Sequence, residues 1–281
     1  FFLNNIKNIF SLIRGYNIIL SGITVLISSY LLDSLLLYKT LEISIIVMST
    51  MALGNIMNDF LDIESDKINH PNRVLPNNKM AANDAMILFF LIAIILLYFS
   101  IYISFKGLLF LYLLILPLLF SYNLYLKKIP VIGNLIVSLL LGSVFLFTEL
   151  SILNSINILL IPFFLVSVFS FVREMIKDMQ DYTGDKRAGM YTLPIIVGKK
   201  IMNYIIFYSI LILIMVLLFP FIFWGYNFKY LLLLIIFIEI PLIYSLILLI
   251  KYPSKKTYGL LADLLKVLTL GGLIIIMVSK K

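Results

Sequence analysis

The 281 residues contain no cysteine, which excludes a disulfide, a thiolate metal site and a thiol nucleophile. There is one histidine, His70. As a metal ligand or base it would need partners, and beside Pro71 it reads as an ordinary loop residue. Charge is scarce: 13% of residues are Asp, Glu, Lys or Arg, against 62% hydrophobic. The mean hydropathy of +1.10 lies well beyond that of a soluble domain. The apolar runs do not alternate with polar residues, which excludes a β-barrel. No signal-peptide cleavage pattern is evident. Serine, threonine and tyrosine are plentiful, but no nucleophile elbow or triad is present. The net charge of +8 comes with no aromatic-basic motif, so it is read as membrane topology and not as nucleic-acid binding.

What is present is a series of apolar runs of the ~20 residues needed to cross the ~30 Å hydrocarbon core. Nine spans are expected, at roughly 16–37, 41–62, 83–104, 107–126, 131–150, 156–177, 200–223, 229–250 and 258–279. Together they occupy nearly the whole chain, so residues 1–281 are expected to form one all-α, polytopic integral-membrane domain. Lys7, Arg14, Lys67, Arg73, Lys79, Lys127, Lys128, Arg173, Lys177, Lys186, Arg187, Lys199, Lys200, Lys251, Lys255 and Lys256 fall on one side. Only Lys39, Lys106, Lys229, Lys280 and Lys281 fall on the other. The positive-inside rule puts the first set in the cytoplasm.

The acids are not scattered. Of fourteen carboxylates, Asp59, Asp62, Glu64 and Asp66 sit at the end of the second span, and Glu174, Asp178, Asp181 and Asp185 at the end of the sixth. Both groups open long loops on the expected cytoplasmic side, and both are followed by base and proline (Arg73-Val-Leu-Pro76; Thr192-Leu-Pro194), a weak sign of internal duplication. At about 100° per residue, Asp62 and Asp66 fall within about 80° of Asn58, while Glu64 falls on the opposite face. Glu174, Asp178, Asp181 and Asp185 fall within about 60° of one another if the helix continues; Gly184 is a possible end to it, which would bring Asp185 in from a loop.

Like charges at this spacing cost about 0.2–0.5 kcal/mol per exposed pair, and more near a bilayer. A cation offsets that cost. Oxygen donors with no His or Cys select a hard ion, Mg²⁺ above all, which takes one or two carboxylates and completes its shell with water and phosphate oxygens. Arg73, Lys127, Lys186 and Arg187, on the same side, can bind phosphate. The two rows are thus expected to share Mg²⁺ ions around a diphosphate. The alternative is a pair of solvated loop faces balanced by these bases.

The stretch Asn58-Asp59-x-x-Asp62-x-x-x-Asp66, continuing to Pro71-Asn-Arg73-Val-Leu-Pro76, resembles the first signature of the UbiA superfamily of intramembrane prenyltransferases. Asp178-x-x-Asp181-x-x-x-Asp185 resembles the second. The segment Asp178 to Pro194 is most similar to archaeal digeranylgeranylglyceryl phosphate synthases. Tyr122-Asn-Leu-Tyr125-Leu-Lys127 is similar to the family's Tyr–Lys element, one residue longer than usual. Arg14-Gly-Tyr-Asn17 is similar to its helix-1 element, with Gly15 in place of proline. The resemblance implies nine helices around a central cavity with a cytoplasmic loop cap, in the cell membrane, with the active site facing the cytoplasm. It implies Mg²⁺ held by Asp62, Asp66, Asp181 and Asp185 with help from Asn58 and Asp178, and an isoprenyl diphosphate donor. Arg73, Lys127, Lys186 and Arg187 would add positive charge to the leaving group, with Lys127 among the catalytic residues. Asn17, Arg14 and Tyr122 would line the substrate site. The acceptor would be lipid-like, with membrane lipids around the protein: for the archaeal enzymes it is geranylgeranylglyceryl phosphate, whose phosphate Lys186 and Arg187 would receive.

Competing readings are a quinone-ring or haem prenyltransferase and a cation-coupled transporter. Transporter sites lie near the midplane, and these acids do not. A CDP-alcohol phosphotransferase would show a D-x-x-D-G-x-x-A-R signature, absent here. Glu239, mid-span and two residues before Pro241, is either functional or a buried structural acid. Asp263 and Lys266, at i,i+3, are expected to pair.

Overall fold

The computed structural model describes residues 2–187 and 189–279, the side chains of residues 2–5, 68 and 69 excepted. Lys280 and Lys281 lie outside the described residues. Helices account for most of the chain and no strand occurs among the described residues. Among the described residues, seven helices are long and apolar enough to cross a membrane. A bent pair, 6–12 followed by Gly15–Leu31 at 63°, makes an eighth if it is one span. Each expected span carries helix. The 160–187 helix falls outside the apolar set because Arg173, Glu174 and Lys177 interrupt its apolar run. The protein is a polytopic, all-helical membrane protein.

The chain packs as two compact units: residues 1–126 with 143–159, and residues 127–142 with 160–281. The first contains α1 (Phe2–Leu12), α2 (Gly15–Leu31), α3 (Leu37–Leu61), α4 (Ile63–Asn69), α5 (Ala82–Ser100), α6 (Phe105–Phe110) and α7 (Leu116–Leu124). It also holds the second half of α8 (Ile132–Leu153). α3 packs chiefly against α5 and α2. Where α1, α3 and α5 meet, Leu12, Ile56 and Ala85 enclose Val74 and Leu75 of the loop after α4. The outer face of α5 shows Ile87, Phe90, Leu91 and Ile94, apolar side chains suited to lipid and not to water.

A one-turn π-helix, Leu111–Ile115, joins α6 to α7. Pro117 follows two residues later; it lacks an N–H and crowds the preceding turn, so the ladder widens there. Gly107 approaches Ser151 so closely that a Cβ would stand 2.8 Å from its Oγ. Beside it, Ser104 Oγ caps the Gly107 N–H and donates to Leu150 O at 2.7 Å. Glu149 is fully buried, and its carboxylate accepts from the backbone N–H groups of Asn157, Ile158 and Leu159 at 3.0, 2.8 and 2.9 Å. This carboxylate therefore has a structural partner set of its own.

The second unit contains the first half of α8, α9 (Leu160–Arg187), α10 (Leu193–Val197), α11 (Lys199–Leu217), α12 (Phe219–Phe223), α13 (Phe228–Leu234), α14 (Ile240–Lys251) and α15 (Lys255–Val278). Its core is a helix–helix seam. Leu165, Phe169, Val172, Ile176 and Met179 recur every three or four residues on α9 and are buried. α15 answers with Leu261, Leu265 and Leu268, and α11 with Met202, Ile206, Ile210 and Leu213. A second π turn, Ile235–Glu239, again precedes a proline, Pro241. Glu239 is buried there, and among the described residues its Oε1 meets no hydrogen-bond partner.

Candidate active site

In the first unit the acid row starts at the end of α3. Asp62 joins α3 to α4 with φ −100° and ψ 11°. Its N–H still bonds Asn58 O at 3.0 Å, and its own carbonyl accepts from Asp66 N at 2.7 Å. The turn is therefore nearly continuous, and Asp62 and Asp66 stay one helical turn apart. Asn58 and Asp62 are half-buried, and Asp66 is buried. Glu64 points away, exposed, and pairs with Lys67 at 2.7 Å, as its helical angle predicts.

Asp59, which the helical angle places within about 20° of Asp66, is the anchor of this half. It is 4% exposed. Its Oδ1 accepts from Arg14 Nη2 at 2.9 Å and lies 3.5 Å from Arg73 Nη1. Arg73 also donates to Asp66 Oδ2 at 2.6 Å. Arg73 is placed by its neighbours in sequence: Val74 and Leu75 are buried against α1, α3 and α5 and pin the loop that carries it. Arg14 is placed by the elbow between α1 and α2, where it adopts the left-handed conformation (φ 57°, ψ 56°). α3 holds that elbow through Asn55 Nδ2, which donates to Ile13 O at 2.8 Å. The ring of Phe10 lies so close to Gly15 that no Cβ fits, so a proline ring cannot replace this glycine without moving Phe10. Asn17 sits half-buried in the first turn of α2.

The second half lies on α9. Gly184 does not end this helix; it continues to Arg187, so Asp185 stands on the same helix as Asp178 and Asp181. At about 100° per residue the three fall on the side of α9 opposite its Leu165–Met179 seam. Asp178 Oδ2 accepts from Asn134 Nδ2 of α8 at 2.9 Å. Glu174, by contrast, is taken up by Arg173 at 2.8 Å and Lys177 at 2.9 Å. Lys186 and Arg187 are exposed at the end of α9, and Lys199 lies over the Tyr182 ring at 4.5 Å. Tyr122 is half-buried on α7, and Lys127 is half-buried in the 3₁₀ turn Leu126–Lys128. Asp263, exposed on α15, is within electrostatic reach of Lys266.

Burial pushes Asp178 up to about 7, opposed by the Asn134 hydrogen bond and assisted by Glu174. It pushes Asp185 up to about 6, with the charge of Asp181 adding to the effect. Asp66 is raised by burial against the opposing pull of Arg73. Burial of this kind disfavours the charged carboxylate, and a cation seated at the row would offset that cost. Among the described residues no three His, Cys, Asp or Glu groups gather into a metal cluster. The donors of both rows are carboxylate and amide oxygens with no His or Cys, a set suited to a hard ion that finishes its shell with water and phosphate oxygens.

Asp59, counted among the acids in the sequence but given no role at the site, and Asn134, not singled out at all, are the residues that the structure adds. The signal for Asp59 was its adjacency to Asn58 together with two arginines on the same side. The signal for Asn134 was an amide in the first turn of an otherwise apolar helix.

The comparisons agree with one another. A digeranylgeranylglyceryl phosphate synthase of Methanocaldococcus jannaschii is 35% identical over 278 residues, covering 95% of this chain and 94% of its own. The solved structure of a digeranylgeranylglyceryl phosphate synthase is 31% identical with a TM-score of 0.75, covering 98% of each chain. The structure of a UbiA homolog from Archaeoglobus fulgidus bound to GPP and Mg²⁺, 14% identical, shares the fold with a TM-score of 0.70, covering 96% of this chain and 99% of that one. The UbiA prenyltransferase family profile matches residues 19–266. The chain belongs to the UbiA prenyltransferase family and is a prenyltransferase.

Proposed function

We propose that the protein transfers a geranylgeranyl group from geranylgeranyl diphosphate to the free glycerol hydroxyl of geranylgeranylglyceryl phosphate, forming the second ether bond of an archaeal membrane lipid. The observation that carries this reading is 35% identity over 95% of the chain to a synthase of that name, with both acid rows present on this chain's own helices. We take the chain as one integral-membrane domain of nine spans around a central cavity capped by loops. The spans are the apolar helices, the bent first pair and α9. Both rows then sit at the cytoplasmic face of the cell membrane, where the Lys/Arg asymmetry puts them.

In this reading Asp62, Asp66, Asp181 and Asp185, helped by Asn58 and Asp178, hold Mg²⁺. When bound, the ion neutralises diphosphate charge and makes it a better leaving group. The chain's own groups do the rest. Arg73 and Lys127 add donors to the departing diphosphate, and charge stabilisation of this kind is the largest lever available to such a reaction. The allylic C–O bond breaks with its electron pair leaving on the diphosphate. Surrounding apolar side chains keep water from the allylic cation. The glycerol oxygen closes the new C–O bond and gives up its proton to the departed diphosphate. Lys186 and Arg187, exposed at the end of α9, are suited to the phosphate of the acceptor, while Arg14, Asn17 and Tyr122 line the substrate site. Membrane lipids surround the protein, and nucleic acid has no part.

Offering purified protein geranylgeranyl diphosphate with geranylgeranylglyceryl phosphate and with quinone-ring or haem acceptors separates the family's activities. The reading requires product from the glycerol phosphate lipid. Product from a ring acceptor alone would move the protein to the other branch. Exchange of a cation across a vesicle without any transfer product would make it a transporter.

A further inference from the structure

Four charged groups in the first unit form a chain: Arg14, Asp59, Arg73, Asp66. Asp59 stands between two guanidinium groups, at 2.9 and 3.5 Å. Arg73 stands between two buried carboxylates, 3.5 Å from Asp59 and 2.6 Å from Asp66. The backbones on either side are fixed. Asn55 and the Phe10 ring hold the elbow that presents Arg14, and buried Val74 and Leu75 hold the loop that presents Arg73. The side chains of Arg14 and Arg73 are 35% and 31% exposed, so each guanidinium keeps donors outside the cluster. What can change is which carboxylate Arg73 grips.

We propose that Asp59 is a positioning residue that gives Arg73 a second seat: a divalent cation arriving at Asp66 releases Arg73, and Asp59 retains it next to Arg14, presenting two guanidinium forks to one phosphate group. This rests on the metal-dependent reading above. The short Arg73–Asp66 bond is charge-assisted and competes directly with a cation for Asp66. Without Asp59, the only buried partner left to Arg73 in this cluster is Asp66, and the competition sharpens. Asp59 itself, already shared by two guanidinium groups, is a poor metal ligand. A planar guanidinium pair held this way suits the bidentate geometry of phosphate oxygens.

The test is Mn²⁺ binding to metal-free purified protein without donor, followed by electron paramagnetic resonance. The variants are Asp59→Asn, Arg73→Gln and the two combined. Asp59→Asn weakens Mn²⁺ binding roughly tenfold, the size of one charge-assisted hydrogen bond. Arg73→Gln strengthens binding, and the double variant behaves like Arg73→Gln, since Asp59 acts only through Arg73. Unchanged binding in Asp59→Asn, or an equal loss with and without Arg73, overturns the proposal; the equal loss would make Asp59 a ligand or a scaffold. Should Asp59→Asn fail to fold, Arg14→Gln carries the test. It frees Asp59 to take Arg73 and raises Mn²⁺ affinity only while Arg73 is present, and no such rise overturns the second seat. A wild-type protein that binds no Mn²⁺ removes the metal reading as well, which distinguishes the two failures.

Discussion

Acidification should loosen metal from the α9 row in a way that its burial sets quantitatively. Asp178 is pushed up to about 7 and Asp185 up to about 6, both by burial. A metal ion needs both as carboxylates, so protons compete with it and binding strengthens as pH rises through that window. At pH 6 roughly nine-tenths of Asp178 and half of Asp185 carry a proton; at pH 8 about one-tenth of Asp178 and almost none of Asp185 does. Linkage then makes the apparent metal affinity about twentyfold lower at pH 6 than at pH 8. Mn²⁺ titration of protein without donor is the proper assay, because a diphosphate donor titrates in the same range. Asn134 donates to Asp178 at 2.9 Å and favours its charged form. Asn134→Leu should therefore shift the midpoint to higher pH and weaken binding most near neutrality. Equal affinity at pH 6 and pH 8, or a midpoint near the ordinary carboxylate value of about 4, would refute the argument.

Asp62→Ala and Asp181→Ala should each abolish transfer while leaving the helical content and thermal midpoint near wild type; turnover close to wild type in either would break the shared-metal account. Glu149→Ala strands the N–H of buried Leu159 at about 1–3 kcal/mol and leaves those of exposed Asn157 and Ile158 to water, so the thermal midpoint in detergent should fall by a few degrees. Glu149→Gln, which keeps an oxygen acceptor, should fall less, and equal losses would show that packing and not hydrogen bonding is at stake. Leu75→Ala removes a side chain that is 4% exposed and should cost about 2–5 kcal/mol. It should also speed amide hydrogen exchange across residues 73–80 and lower transfer through Arg73; protection equal to wild type there would separate the loop's packing from the arginine's placement.

The membrane class and the helix positions were legible because an apolar run of span length has few other uses. Both acid rows were legible for the related reason that carboxylates are expensive in such a chain. Periodicity carried Asp178, Asp181 and Asp185 to one side of α9 and Glu64 to the outside of α4. It failed at Asp59, because an angle around a helix says nothing of what stands opposite, and Arg14 and Arg73 arrive from an elbow and a loop. Gly184 left the placement of Asp185 open for a similar reason: glycine only permits a helix end, and the packed α9 seam outweighs the roughly 1 kcal/mol it costs inside a helix. The π turns at Leu111–Ile115 and Ile235–Glu239 left a trace in Pro117 and Pro241, but proline alone does not tell a kink from a widened turn. Glu149 carried no distinguishing signal in the sequence; its three backbone donors depend on a turn whose path the sequence does not reveal.

The most direct measurement is transfer by purified protein given geranylgeranyl diphosphate and geranylgeranylglyceryl phosphate, with product identified by mass spectrometry, with Mg²⁺ and then with excess chelator. The account predicts a doubly etherified glycerol phosphate lipid that disappears with chelator and returns when Mg²⁺ is restored. Transfer that persists in chelator, or none with Mg²⁺ present, would contradict it.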